Sequence, residues 1–300
     1  MLSIPKIRTT KLRVMFRAAE AGELPAYLGS TIRGVLGHAM RGLVCVRPRT
    51  RCHLCELAQN CSYAYHFNSP GNVAGSVNPF VLHVPTRYKT DWLPGDLLTF
   101  DITIFGSSTE AIDYYIDGFF AMEKRGWGIN RLKFSLVEIL HLPVKQIVRK
   151  NGNANEVTPN YVEGEMRETN RVMLNFISPT RIIVQRQLQK DLSFQHIVRS
   201  IMTRLQLIAH AYEGIIVDWD EAMLLARASE VRTVEANWRY VNFKRFSLTH
   251  HGKISLPAIE GYASFEGDLT PFTALLEVGK TLQIGKNSTH GFGKYDLYYG

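Results

Sequence analysis

All four cysteines of the 300-residue chain fall between positions 45 and 61, in VCVRPRTRCHLCELAQNCSY. The surrounding residues are too polar and too Pro/Arg-rich to build a core, so this stretch needs a staple. In a reducing compartment disulfides are disfavoured, and zinc is the physical alternative. Zinc takes four thiolates in a tetrahedral shell, and a CxxC turn supplies two of them at once. Cys52 and Cys55 form that turn, with Cys45 seven residues before it and Cys61 six residues after it. The expectation is a structural zinc held by Cys45, Cys52, Cys55 and Cys61, with His53 and His66 as nearby substitutes. A redox-active CxxC pair and a loop of free thiols are the alternatives. A closed four-ligand site leaves no open position, so no catalytic metal is expected.

Charge locates a second feature. Lys and Arg number 35 against 27 Asp and Glu, a formal net charge of +8. Residues 1–51 contain ten of those bases against only Glu20 and Glu23, and the remainder of the chain balances. A segment so lopsided suits a polyanion, most often nucleic acid, although a solvated basic segment has the same composition. Hydrophobic residues make up 45% and charged residues 21%, which excludes wholesale disorder. No apolar run approaches the ~20 residues that cross a bilayer. The start, MLSIPKIRTTKLRVMF, lacks the apolar core and cleavage site of a secretory signal. A cytoplasmic protein without membrane partners is expected.

Periodicity supplies the architecture. KLRVMFRAAE alternates as a strand with one wet face. In AYLGSTIRGVLGHAMRGLVC, Ile32, Val35, Leu36, Ala39, Met40 and Leu43 form one stripe at helical spacing, with Ser30 or Thr31 as candidate cap. His38 and Arg41 project from the other side, next to Gly34 and Gly37. Glycines cost a helix ~1 kcal/mol each relative to Ala, so Gly34, Gly37 and Gly42 suggest close approach by another backbone. LLTFDITIFG, the capped helix in SSTEAIDYYIDGFFAMEKRG, and RLKFSLVEIL follow. Tyr63, Tyr65 and Phe67 alternate as in a half-buried strand, although exposed rings there could stack on bases.

After the polar KNGNANEVTPN, RVMLNFISPTRIIV, the helix SFQHIVRSIMTRLQLIAHAYEG, the strand pair WRYVNFKRFSL and AIEGYASFEG, the helix TPFTALLEVGKTLQ and the strand KYDLYY repeat the order. The reading is an α+β chain of two tandem ferredoxin-like (RRM-like, βαββαβ) domains, 1–150 and 160–300. The zinc loop at 45–61 is an insertion in the first domain, and the second carries a glycine-rich loop at 279–294. In that loop Gly279, Gly285, Gly291 and Gly293 are interleaved with Lys280, Lys286, His290 and Lys294, with no acid between Val278 and Tyr295. Glycine amides can cradle phosphate oxygens while lysines neutralise their charge. The order GKNSTHGFG is not that of a P-loop, and a plain basic turn has the same composition.

LLEVGKTLQIGKNSTHGFGKYDL resembles the glycine-rich ending of the CRISPR-associated RAMP endoribonucleases that process precursor CRISPR RNA. LNFISPTRIIVQ, FQHIVRSIMTRL and NWRYVNFKRFSLTHHGKISLPAIEGYASFEG are similar to the same family's second domain. LPAYLGSTIRGVLGHAMRGLVC with the cysteine set and CSYAYHF resembles a bacterial branch with a cysteine-rich insertion.

The resemblance implies bound CRISPR repeat RNA and one metal-independent cut per repeat, by attack of the RNA's 2′-hydroxyl. The products would be a 2′,3′-cyclic phosphate and a 5′-hydroxyl. It implies a catalytic histidine on or just after the first helix, often with a tyrosine assisting. His38 fits that placement, with Tyr27 and Arg41 assisting and His290 as the rival. RNA contacts are expected at Arg33, Lys280, Gly285, Lys286, Asn287, Ser288, His290, Gly291, Gly293 and Lys294. His196, His210, His250 and His251 are expected to stand apart from the chemistry. A non-catalytic RNA-binding RAMP subunit of a CRISPR effector complex is the alternative. A zinc-dependent DNA-binding regulator lacks a helix-turn-helix or finger pattern. The expected molecule is a monomer or homodimer, with CRISPR effector subunits as candidate partners.

Overall fold

The computed structural model describes residues 3–68, 77–84, 89–148, 157–247 and 252–300. His250, His251 and most of KNGNANEVTPN lie outside the described residues. The chain forms two compact units, Arg8–Asn160 and Met1–Ile7 with Tyr161–Gly300. The 1–150 expectation put the amino-terminal residues in the first domain, whereas here they belong with the second unit. Trp219 Nε1 donates to the Ser3 carbonyl at 3.0 Å.

In the first unit the principal elements are β1 (Ile7–Ala18), α1 (Gly29–Val44), β2 (Phe80–His83), β3 (Leu97–Phe105), α2 (Ile112–Met122) and β4 (Phe134–Leu142). The strands pair antiparallel in the order β2-β3-β1-β4. Alternation along β1 buries Leu12, Val14 and Phe16 with Phe100, Ile102, Phe119 and Trp127 in one core. The other face carries Arg13, whose guanidinium grips the buried Asp101 carboxylate at 2.7 and 3.0 Å. That hydrogen bond, set against partial desolvation, raises the pKa of Arg13.

The α1 stripe is as expected at Ile32, Val35, Leu36, Ala39 and Met40, all buried, but Leu43 is 45% exposed. Neither Ser30 nor Thr31 caps the helix: it starts at Gly29 after Leu28, with no side-chain cap. The Ser30 hydroxyl is instead inside the protein. Tyr63, Tyr65 and Phe67 are not a strand. Ala64–Asn68 forms a π-helical turn, because Phe67 must reach the core beside Phe80 (ring centroids 5.4 Å apart) with Tyr63 stacked on it at 5.5 Å. His66, offered as a spare zinc ligand, is buried among Tyr65, Tyr114 and Tyr115.

The second unit repeats the order with β5 (Arg171–Thr180), α3 (Phe194–Glu213), α4 (Glu221–Glu230), β6 (Arg232–Ser247), β7 (Gly252–Glu266), α5 (Thr273–Leu282) and β8 (Tyr295–Tyr299). Its antiparallel sheet runs β6-β7-β5-β8. The α3 ends follow from local chemistry. Ser193 and His196 form a reciprocal capping box, and Gly214 closes the helix in the left-handed region at φ 68°. His196 is thus structural, as expected. Helix α4, capped by the Asp220 carboxylate on the Met223 amide at 2.9 Å, escaped the periodicity reading.

Candidate active site

Helix α1 presents His38 on its exposed side, opposite the apolar stripe. Loss of solvation lowers its pKa, and the positive charges of Arg125 and Arg41 lower it further. A neutral imidazole near neutral pH is a proton acceptor.

The expected glycine-lined back of this helix is filled by side chains, not by another backbone. A Cβ on Gly37 would meet Phe67 ring atoms at 2.5 and 2.7 Å, and one on Gly42 would meet Arg125 Nη2 at 2.7 Å. Gly34 faces open space. Arg125 Nη2 also donates to the His38 carbonyl at 3.4 Å. Sequence reasoning missed Arg125, because it comes from the turn after α2 and no local motif marks it.

Arg41, expected to hold phosphate, is turned the other way. Its Nη2 donates to the Pro48 and Thr50 carbonyls at 3.1 and 2.9 Å. Its Nε is buried without an oxygen or nitrogen acceptor. The neighbouring Cys45 sulfur raises its pKa, chiefly through hydrogen bonding. Arg33 lies 4.6 Å over the Phe67 ring, a cation–π contact. Tyr27 is half-buried just ahead of α1. At 1.5 Å per residue His38 stands roughly 14 Å along the axis from the first helical residue.

The four cysteines line a single pocket with Arg41, Arg47 and Tyr63. Cys45 caps the carboxy-terminal end of α1, while Cys55 and Cys61 each close a short 3-10 turn. Burial and the other three thiols push the Cys52 thiol up, with Arg41 opposing. Among the described residues, no three His, Cys, Asp or Glu side chains converge in metal-ligand geometry. The donor set therefore suits zinc by chemistry and by location, but the thiols do not close on a common centre. His66 is not among them, and burial holds its pKa down at about 4.

The glycine-rich loop differs most from expectation. Its amides, assigned to phosphate, are donated within the second unit. Gly285 donates to Ser200 Oγ at 2.8 Å, Lys286 to the Arg181 carbonyl at 2.7 Å and Gly293 to the Pro179 carbonyl at 2.8 Å. Gly291 donates to the Ser288 carbonyl at 2.9 Å. Asn287 and Gly291 flank a one-turn helix, both in the left-handed region. Ser288 and His290 are buried. Lys280 pairs with Glu277 at 2.7 Å, and Lys294 Nζ donates to the Lys280 carbonyl at 2.8 Å. Lys286 keeps an exposed side chain. The loop is thus a knot whose glycines serve backbone-to-backbone packing, and Lys286 is its outward-facing cation.

A family model described as the AF_1859 N-terminal domain matches residues 7–161, and one described as CRISPR-associated endoribonuclease Cas6 matches residues 174–295. No curated protein matches the chain. Among solved structures, a partial Cas6-RT-Cas1–Cas2 complex is similar at 14% identity and TM-score 0.60, covering 99% of this chain and 47% of that one. The chain thus spans about half the length of that relative. A Cas6 product complex is similar at 15% identity and TM-score 0.61, covering 97% of this chain and 100% of that one. Thermus thermophilus Cas6 is similar at 12% identity and TM-score 0.57, covering 99% and 100%. The second unit matches the CRISPR-associated endoribonuclease Cas6 family over residues 174–295, and the chain shares the fold of the Cas6 structures.

Proposed function

We propose that this chain, built as two tandem ferredoxin-like units, binds CRISPR repeat RNA in the cytoplasm and cleaves the precursor once per repeat without a catalytic metal. The observation that carries this reading is His38: it stands on the exposed side of α1 with Arg125 on its carbonyl, where partial loss of solvation and nearby positive charge lower its pKa. His38 accepts the proton of the 2′-hydroxyl, whose oxygen attacks the adjacent phosphorus. The bond from phosphorus to the 5′-oxygen breaks, and that oxygen takes a proton from water. A 2′,3′-cyclic phosphate and a 5′-hydroxyl result. Tyr27, just ahead of the same helix, assists by donating to or orienting the reacting strand. Lys286 contacts the phosphate backbone from the second unit.

The cysteine loop is proposed to hold a structural zinc through Cys45, Cys52, Cys55 and Cys61. The metal would supply cross-linking alone, since four thiolates leave no open position. Arg41 joins the loop carbonyls to α1 and faces the Cys45 sulfur, so it positions the loop and offsets thiolate charge.

The test is His38→Ala with repeat RNA under single-turnover conditions. Loss of cleavage with binding retained supports the reading. An unchanged rate refutes His38, and cleavage by no form of the protein favours the non-catalytic RNA-binding alternative.

A further inference from the structure

We propose that Arg125 is the cation that meets the scissile phosphate, the role the sequence assigned to Arg41. The inference rests on the reading of His38 as the base.

Three observations locate it. The Arg125 guanidinium donates Nη2 to the His38 carbonyl at 3.4 Å, which ties it to the residue it would assist. The same Nη2 sits against Gly42, one turn further on, where an added Cβ would come within 2.7 Å of it. An alanine there would shift the guanidinium from its place. Finally, Arg125 is exposed, and among the described residues no carboxylate pairs with it.

The competing cations are engaged elsewhere. Arg41 is held by two loop carbonyls and Arg33 by the Phe67 ring. A guanidinium has five donors in a planar fork, so one bond to the His38 carbonyl leaves others for the non-bridging oxygens. When the 2′-oxygen attacks, charge builds on those oxygens, and a cation already in place needs no rearrangement to stabilise it.

The experiment compares Arg125→Ala, Arg125→Lys and Gly42→Ala with the parent protein in single-turnover cleavage of repeat RNA. Binding of a 2′-deoxy substrate and the NMR titration of His38 are measured in parallel. Arg125→Ala is expected to slow cleavage about 100-fold, with binding changed by less than tenfold and Arg125→Lys intermediate. The His38 titration should move upward, partly only, because partial desolvation and Arg41 still hold it down. Gly42→Ala should slow cleavage about tenfold while raising the melting temperature, since it displaces the guanidinium yet improves the helix. That opposition separates displacement of a functional group from unfolding.

Arg125→Ala within threefold of the parent rate, with His38→Ala inactive, overturns the Arg125 assignment and leaves the His38 reading standing. If His38→Ala retains full activity, the His38 reading itself fails. An unmoved His38 titration in Arg125→Ala also counts against the proposal, independently of activity.

Discussion

Replacing Gly293 with Ala separates a packing role from a phosphate-binding role for the glycine-rich loop. Gly293 has φ 82°, and an added Cβ would overlap the Ile284 carbonyl oxygen and stand 2.7 Å from the Ile284 nitrogen. An L-residue in left-handed geometry costs about 1–2 kcal/mol. Relief of the overlap requires backbone movement, because the obstacle is main chain rather than a flexible side chain. That movement puts two hydrogen bonds at risk, Ile284 N–H to the Gly293 carbonyl at 2.9 Å and Gly293 N–H to the Pro179 carbonyl at 2.8 Å. Each contributes about 0.5–1.5 kcal/mol. The expected loss is roughly 2–5 kcal/mol, a large share of a typical domain's stability. Urea unfolding, with amide exchange followed over 284–293, measures it. Lys286→Ala is the contrasting variant: its stability should be unchanged and its RNA affinity reduced, more so at low salt. A Gly293→Ala protein that loses less than about 1 kcal/mol yet binds RNA poorly would refute the packing account.

Two further predictions concern the first unit. Purified protein should contain one zinc, and Arg41→Met should lower zinc affinity and the unfolding temperature; metal analysis finding none, with four freely titrating thiols, contradicts the zinc proposal. His66 has a folded pKa of about 4, below the ordinary histidine value of 6.5. Its contribution is therefore present above pH 6.5 and lost as pH falls toward 4, on the order of 2–3 kcal/mol by pH 4.5. Denaturant midpoints for the parent and His66→Phe across that range check this, and a variant that keeps the full acid slope rejects it.

The helices and strands that carry the site were legible because burial imposes its period on the sequence. The α1 stripe and the β1 alternation both mark the faces that the core covers. What periodicity does not encode is which long-range partner a polar group finds. Glycines with lysines read equally as a phosphate cradle or a tight knot, and the acceptors that decide between them, Pro179, Arg181 and Ser200, lie about 85–115 residues away. Arg41 was favoured because it sits one turn from His38, while Arg125 reaches the same helix face from another element. Tyr63, Tyr65 and Phe67 alternate like a strand, yet the demand that Phe67 fill the space over Gly37 winds them into a turn.

The most direct test of the account is the chemistry of the cut ends. Repeat RNA incubated with the protein in EDTA should be cleaved at one position, leaving a 2′,3′-cyclic phosphate and a 5′-hydroxyl. The same RNA with a single 2′-deoxy nucleotide before that position should bind and remain intact. Cleavage of the 2′-deoxy RNA, a 5′-phosphate product, or a cut that needs added divalent metal would contradict attack by the RNA's own 2′-oxygen.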